Sequence, residues 1–587
     1  MYIEKINNPN DIKRMSLQEC CELAAEIRNV LVKKASEVGG HLASNLGMVE
    51  ATIAMHYVFD SPKDKIVFDV SHQSYTHKIL TGRKEAFTDP EKYHQISGFT
   101  NPDESEHDYF KVGHTSTSIS LACGLAKARD LEGGNENIIA VIGDGALSGG
   151  EALEGLDFGG SELNSNFIII VNDNERSIAE NHGGIYQNLS ELRRSEGKTE
   201  NNLFKAFGYE YYFVKDGNDL KALIDAFNSV KDTDHPVVVH ICTTKGKGYV
   251  FAEEDKEGFH WVRPFDLETG KEKNQFSGER YDKIIRDYLI EKMRSDPKVT
   301  TILAAVPDAL SFSEDKRKLA GKQFIDVGIA EEHAIALAAG IAKGGGKPVF
   351  ATLSTFYQRA YDQISQELCI NNCAATLIVA NASVYAVNDA THIGIFDIPL
   401  LSNIPNLVYL APTNKQEYLA MLDWSLEQNV HPVAIRAPRN GVFYARKEVQ
   451  TDYSELNKYE VVRPGERVAV IALGDFFQMG EKVIELLSEK SGISATLINP
   501  RYITGIDDAL LSSLTKNHSI IVTLEDGVLN GGFGEKIASY YGPYKDSVVL
   551  NFGLRKEFLD YYNLDEVLKR NRLVPELIFE DIENILG

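Results

Sequence analysis

The stretch Asn137–Asn174, NIIAVIGDGALSGGEALEGLDFGGSELNSNFIIIVNDN, decides the fold. Two Ile/Val runs, NIIAVIG and NFIIIV, each stop abruptly at an acid or an amide, with a helix-compatible segment between them. Continuous apolar runs of this length read as strands buried on both faces, so the pattern is strand, turn, helix, strand of a parallel sheet. In a right-handed unit of this kind both strands end at the same carboxyl edge. Asp144 and Asn174 are therefore expected in neighbouring loops, although 29 residues intervene. Gly143 and Gly145 allow a tight turn and the close approach of a bulky anion, and amide N–H groups beyond Ala146 would point at it. Asp144, Asn174 and a main-chain carbonyl such as that of Arg176 make half an octahedron of hard oxygens. Such a set suits Mg²⁺, which completes its shell with phosphate oxygens and water. Asp-Gly and Asn-Asp are common turn dipeptides by themselves; the weight lies in the pair, each ending an Ile/Val strand.

Outward from this segment the same grammar repeats. KIVFDV, HPVVVHIC, KPVFATL, ATLIVA, RVAVIAL and SIIVTLE alternate with helical patterns, which makes the chain a repeated α/β protein. At 587 residues it is too long for one core. Polar, aperiodic seams at Asp266–Ser277 and Lys447–Pro464 divide it into expected domains 1–270, 277–447 and 455–587. The net charge of −24 argues against nucleic acid and anionic membranes as partners. A polar N-terminus and the lack of any 18-residue apolar run predict a cytoplasmic chain. Its six cysteines are scattered without a CxxC pair, which favours reduced thiols over disulfides or zinc. His72 and His77 are five apart, not the helical i, i+4 zinc spacing.

GDG followed by NDN at this distance resembles the thiamine-diphosphate fingerprint. HLASNLGMVEATIAMHYVF from His41, DVSHQSYTHKILTGR from Asp69, GHTSTSIS from Gly113, IAEEHA from Ile329, STFYQRAYDQ from Ser354 and LEDGVLNGGFGE from Leu524 look like the 1-deoxy-D-xylulose-5-phosphate synthase branch of the transketolase-like enzymes. The resemblance runs over nearly the whole chain. It implies two thiamine-diphosphate-binding parallel sheets, one for the diphosphate and Mg²⁺ and one for the pyrimidine, followed by a C-terminal transketolase-type α/β domain. It also implies a homodimer, with a one-chain site between the first two domains.

Carried over position by position, the resemblance makes Glu331 the acid that activates the pyrimidine, while Glu332 opens the helix. Phe356 would stack on that ring. His72, Gly113, His114 and Thr115 match diphosphate and thiazolium contacts, joined by Gly145, Ala146, Asn174 and Tyr249. His41, His260 and His392 face the substrate, where protons move on and off a carbonyl oxygen near neutral pH. Lys245 and Lys247 lie on the Gly-rich loop before Tyr249; a solvated basic turn is an equal reading. Arg359 and Arg436 are candidates for gripping an anionic substrate in two-point fashion.

Four departures cluster on the acceptor side. Asn381 stands where the family usually has an arginine paired with Arg436 for the acceptor phosphate. Asn388 replaces an aspartate, although Asp389 follows; Leu353 replaces a tyrosine; and AAVPDALSF lacks the usual glycines. The segment between Ser177 and Phe204 is also shorter than usual. Losing one charge-assisted contact costs about 1.5–3 kcal/mol, at least about tenfold in affinity. The resemblance thus implies a thiamine-diphosphate-dependent joining of pyruvate, with loss of CO₂, to D-glyceraldehyde 3-phosphate. The rivals are a paralogue or transketolase-type transferase with another donor or acceptor, and a cofactor-binding protein without turnover.

Overall fold

The computed structural model describes residues 1–274, 277–545 and 547–586. Gln275 and Phe276, in the first polar seam, lie outside the described residues. The chain forms two compact units, the first of residues 1–277 with Gly328–Ala330, the second of residues 278–327 with 331–587.

The first unit holds a five-stranded sheet of β1 (Lys65–Phe68), β2 (Ile138–Gly143), β3 (Phe167–Asp173), β4 (Glu210–Val214) and β5 (Pro236–Cys242). All neighbours are parallel, in the order β1-β2-β3-β5-β4. Every residue of β3 is buried, which is why its Ile/Val run shows no polar alternation. Gly143 pairs with Asn172, so the GDG and NDN tips do adjoin. The crossover is less direct than expected: a 3₁₀ turn, Asp144–Ser148, precedes the helix Gly150–Glu162.

The second unit holds two sheets. The first contains β6 (Val299–Leu303), β7 (Phe324–Asp326), β8 (Lys347–Leu353), β9 (Thr376–Ala380), β10 (Val408–Leu410) and β11 (Val433–Arg436). They are all parallel, in the order β10-β11-β9-β8-β6-β7. The second contains β12 (Glu460–Arg463), β13 (Arg467–Ala472), β14 (Thr496–Asn499), β15 (His518–Val528) and β16 (Val548–Leu554), in the order β12-β14-β13-β15-β16. Only β12 runs antiparallel, along β14. The second seam is therefore not all linker. Its last residues form an edge strand whose half-exposed pattern hid it from a search for buried runs.

Candidate active site

In the first unit, the Asp144 side chain is placed by the end of β2 and is 1% exposed. Burial, then the neighbouring charge of Asp173, pushes its pKa well above the ordinary carboxylate value. A buried carboxyl under that strain is suited to a divalent cation, and Asn174 and Arg176 line the same cavity of about 610 Å³. Asn174 Oδ1 accepts the Arg176 N–H at 3.2 Å, while the Arg176 guanidinium pairs outward with Glu180 at 3.1 Å.

Asp173, the middle residue of NDN, has another task. Burial alone would raise its pKa, but His240 and Arg193 outweigh it and hold the group ionised. His240 donates from Nε2 to Asp173 Oδ2 at 2.9 Å, and its Nδ1 meets the Tyr211 hydroxyl at 2.8 Å. Asp173, His240 and Cys242 lie within metal-binding reach of one another, yet both ring nitrogens of His240 are engaged. This trio orients the NDN tip rather than holding an ion.

Gly145 has a further task. A Cβ there would lie 2.7 Å from the Cβ of Ser177, so the glycine lets the two loop tips touch. Gly143, by contrast, faces open space. The loop of Gly113, His114 and Thr115 is pinned from behind. Asp69 accepts the N–H groups of Ser116 and Ser118 at 2.8 and 3.0 Å, and Ser116 Oγ donates to the Ala146 carbonyl at 2.8 Å. Ser116 is left-handed at φ +73°, a strain held by those bonds.

Three predicted histidines come together. His41, His72 and His260 have ring centroids 5.0–5.6 Å apart. Gly40–His41 pairs antiparallel with Trp261–Val262, and Asn45 Nδ2 donates to the carbonyls of both His41 and His72. Lys245 Nζ lies 3.2 Å from His260 Nδ1 and donates to the Ser177 carbonyl. Burial lowers Lys245 to about 8 and, with Lys245 beside it, drives His260 well below its usual value. His260 is thus neutral at pH 7. Asp69, Asn45 and Ser116 escaped sequence reasoning because their work is hydrogen bonding to backbone, which leaves no spacing signature. Lys245 was seen but not distinguished from a surface lysine.

Two residues sit elsewhere. Tyr249 donates its hydroxyl to the Leu267 carbonyl at 3.1 Å, and its ring packs on Phe251, Phe259 and Phe265. Its ring and hydroxyl are thus both engaged in packing this loop. His77 joins no zinc site: it bridges His56 at 2.9 Å and Asp108 at 2.8 Å.

In the second unit Glu331 opens the helix Glu331–Lys343 just beyond β7 and is 3% exposed. Burial raises its pKa to about 7 against the pull of Arg359, whose guanidinium is 3.8 Å away. Its Oε2 has no hydrogen-bond partner among the described residues. A buried, proton-bearing acid with an unused oxygen fits a heterocyclic ring nitrogen. Phe356 and His392 meet edge to face, centroids 5.6 Å apart. His392 Nδ1 lies 3.1 Å from Asp389 Oδ1. Burial would raise Asp389, yet the hydrogen bond and charge of His392 together with the hydrogen bonds from Thr391 outweigh it and keep its pKa at about 2.

Residues 3–200 and 195–243 match the family model described as 1-deoxy-D-xylulose-5-phosphate synthase. Residues 279–443 match the transketolase pyrimidine binding domain, and 457–578 the transketolase C-terminal domain. A 1-deoxy-D-xylulose-5-phosphate synthase of Symbiobacterium thermophilum is 38% identical, covering 100% of this chain and 95% of that protein. One from Clostridium tetani is 37% identical over 100% of this chain and 99% of its own. The chain belongs to the 1-deoxy-D-xylulose-5-phosphate synthase family. Among solved structures, transketolase from Campylobacter jejuni aligns over 97% of this chain and 100% of its own, at 16% identity and a TM-score of 0.45.

Within this synthase family the chain's acceptor-side departures take a definite form. Asn388 is exposed and offers only its backbone carbonyl, to Tyr561 N–H at 2.8 Å; Asp389, one residue on, supplies the carboxylate beside His392. Asn381 follows β9 with φ +52°, a left-handed turn that asparagine tolerates well. Arg436 does not fit the expected role of a substrate clamp. It is 4% exposed, gripped by Asp397 at 2.7 and 3.2 Å, and paired with Asp526. With two carboxylates on one guanidinium, no positive charge is left for a phosphate. Three residues on, Arg439 is exposed.

Proposed function

We propose that the chain joins pyruvate, with loss of CO₂, to D-glyceraldehyde 3-phosphate, giving 1-deoxy-D-xylulose 5-phosphate with thiamine diphosphate and Mg²⁺ as cofactors. The observation that carries this is Glu331, an acid kept protonated near neutrality with one oxygen unused. Simple binding of a cofactor needs no such group. Thiamine diphosphate, when bound, supplies the carbon nucleophile and electron sink for decarboxylation.

The rest is the chain's own work. Asp144, Asn174 and the Arg176 carbonyl would hold Mg²⁺, and through it the diphosphate, with Gly113, His114, Thr115, Gly145 and Ala146 beside it. Glu331 would hold a proton at the pyrimidine ring nitrogen, and Phe356 would lie beside that ring. Neutral His260, with His41 and His72, receives protons in the first unit. His392, oriented by Asp389, does so in the second. Arg359 sits next to Glu331 and is suited to the pyruvate carboxylate; Arg439, rather than Arg436, is the exposed cation for an acceptor phosphate.

Residues 1–270, 277–447 and 455–587 are read as three domains with one large sheet each, in a cytoplasmic homodimer. No helix among the described residues is long and apolar enough to cross a membrane. Incubating the chain with Mg²⁺, thiamine diphosphate, pyruvate and a panel of aldehydes tests the reading. CO₂ and a deoxyketose are expected, and no CO₂ with any acceptor rejects it. Asn381 and the paired Arg436 favour one second reading, the same chemistry with another acceptor. If Asn381→Arg leaves D-glyceraldehyde 3-phosphate affinity unchanged, that reading loses its support.

A further inference from the structure

Asn181 belongs to none of the motifs above. It lies in the stretch between Ser177 and the helix Gly184–Arg194, and an antiparallel bridge between Arg176 and Glu180 folds that stretch back on the seat. The stretch is tethered at both ends. Lys245 donates to the Ser177 carbonyl, and the Tyr186 hydroxyl donates to the Gly145 carbonyl at 3.0 Å.

Asn181 Nδ2 donates to Asp144 Oδ2 at 2.9 Å. Its Oδ1 is shielded from solvent and has no hydrogen-bond partner among the described residues. A buried carbonyl oxygen without a donor or a cation is costly. The 2.9 Å separation is that of an ordinary N–H···O hydrogen bond, and it also matches an octahedral edge. Ligands of Mg²⁺ lie about 2.0–2.1 Å from the ion, so adjacent corners of its octahedron are about 2.9 Å apart. The tip of Asn181 already stands at that spacing from a carboxylate oxygen expected to touch the ion. Turning the carboxamide by half a revolution puts Oδ1 where Nδ2 now is. An amide facing a bare carboxylate presents its N–H, and one facing a cation presents its oxygen.

We propose that Asn181 is a further ligand of the divalent cation, taking a corner of the octahedron that a water would otherwise fill. The inference rests on the cation seat of the proposed function. It also gives the short segment after NDN a purpose: it delivers a fourth protein oxygen.

Mn²⁺ serves as the probe, added to the full-length protein with thiamine diphosphate. Waters bound directly to Mn²⁺ are counted by electron–nuclear double resonance in ¹⁷O-enriched water, and affinity is read by titration of the free-ion signal. Asn181→Ala should gain one bound water and weaken Mn²⁺ binding about tenfold or more. Asn181→Asp, which keeps an oxygen, should retain the parent's water count. An unchanged count in Asn181→Ala, or an extra water in Asn181→Asp, overturns the proposal even if affinity falls. Failure of the unsubstituted protein to bind Mn²⁺ would overturn the seat itself and the proposal with it.

Discussion

A carboxyl group shut away from water without a full partner keeps its proton, and Glu331 is in that position. Its Oε2 lacks a donor and Arg359 stands off at 3.8 Å, so the ionised form is poorly supported. Glu331→Gln retains shape and neutrality but cannot give a proton away. Its turnover should fall by about 10²–10⁴, with thiamine diphosphate affinity little changed, as steady-state assays and a binding titration would show. The same substitution has a signature in stability. Glu331 titrates at about 7 when folded against an ordinary 4.5, so the folded chain binds the extra proton. Its contribution is complete below the ordinary value and is lost as pH rises through 7. Without cofactor, Glu331→Gln should therefore gain stability over the parent between pH 6 and 8, measured by urea midpoints.

At the level of elements, the site is built from strand ends and from what holds the loops behind them. Asp69 is the clearest case: two backbone N–H groups of the loop at Ser116 and Ser118 converge on its carboxylate. Asp69→Ala leaves both buried without an acceptor, which should cost about 2 kcal/mol or more. It should weaken thiamine diphosphate binding as well, as a denaturation curve and a titration would report. The sequence made the strand ends legible because a buried parallel strand is an uninterrupted Ile/Val run, and Asp144 and Asn174 were read directly from where β2 and β3 stop. Edge strands such as β4 and β12 alternate or are half exposed, so that signal was weak. The pairing of Arg436 was illegible for another reason. Asp397 and Asp526 are 39 and 90 residues away, and nothing local announces such a contact. Tyr249 went astray likewise, since a motif fixes the backbone neighbourhood but not which carbonyl a hydroxyl will find.

Across the second unit, burial raises several carboxyls, three of them far: Glu331 and Asp475 to about 7 and Glu525 to about 8. All three bind protons that the unfolded chain would release near pH 4. The stability these three groups lend the cofactor-free protein should therefore be complete below about pH 4 and be lost as pH climbs to about 8, which denaturation midpoints across that range would check. Arg436 joins the two sheets of this unit, since β11 carries the arginine and β15 carries Asp526. Arg436→Met should destabilise by about 3–5 kcal/mol because it strands two buried acids. Arg439→Ala should leave stability unchanged and raise KM for phosphorylated aldehydes alone. The joint also sets a schedule for biosynthesis. Asp397 has left the ribosome before Arg436, but Asp526 follows 90 residues later. At roughly 5–20 residues per second, each nascent chain carries a guanidinium with one of its two carboxylate partners for about 5–18 seconds. The pyrimidine-type sheet cannot finish closing until the C-terminal sheet arrives, so chaperone dependence and truncation sensitivity should concentrate in that interval.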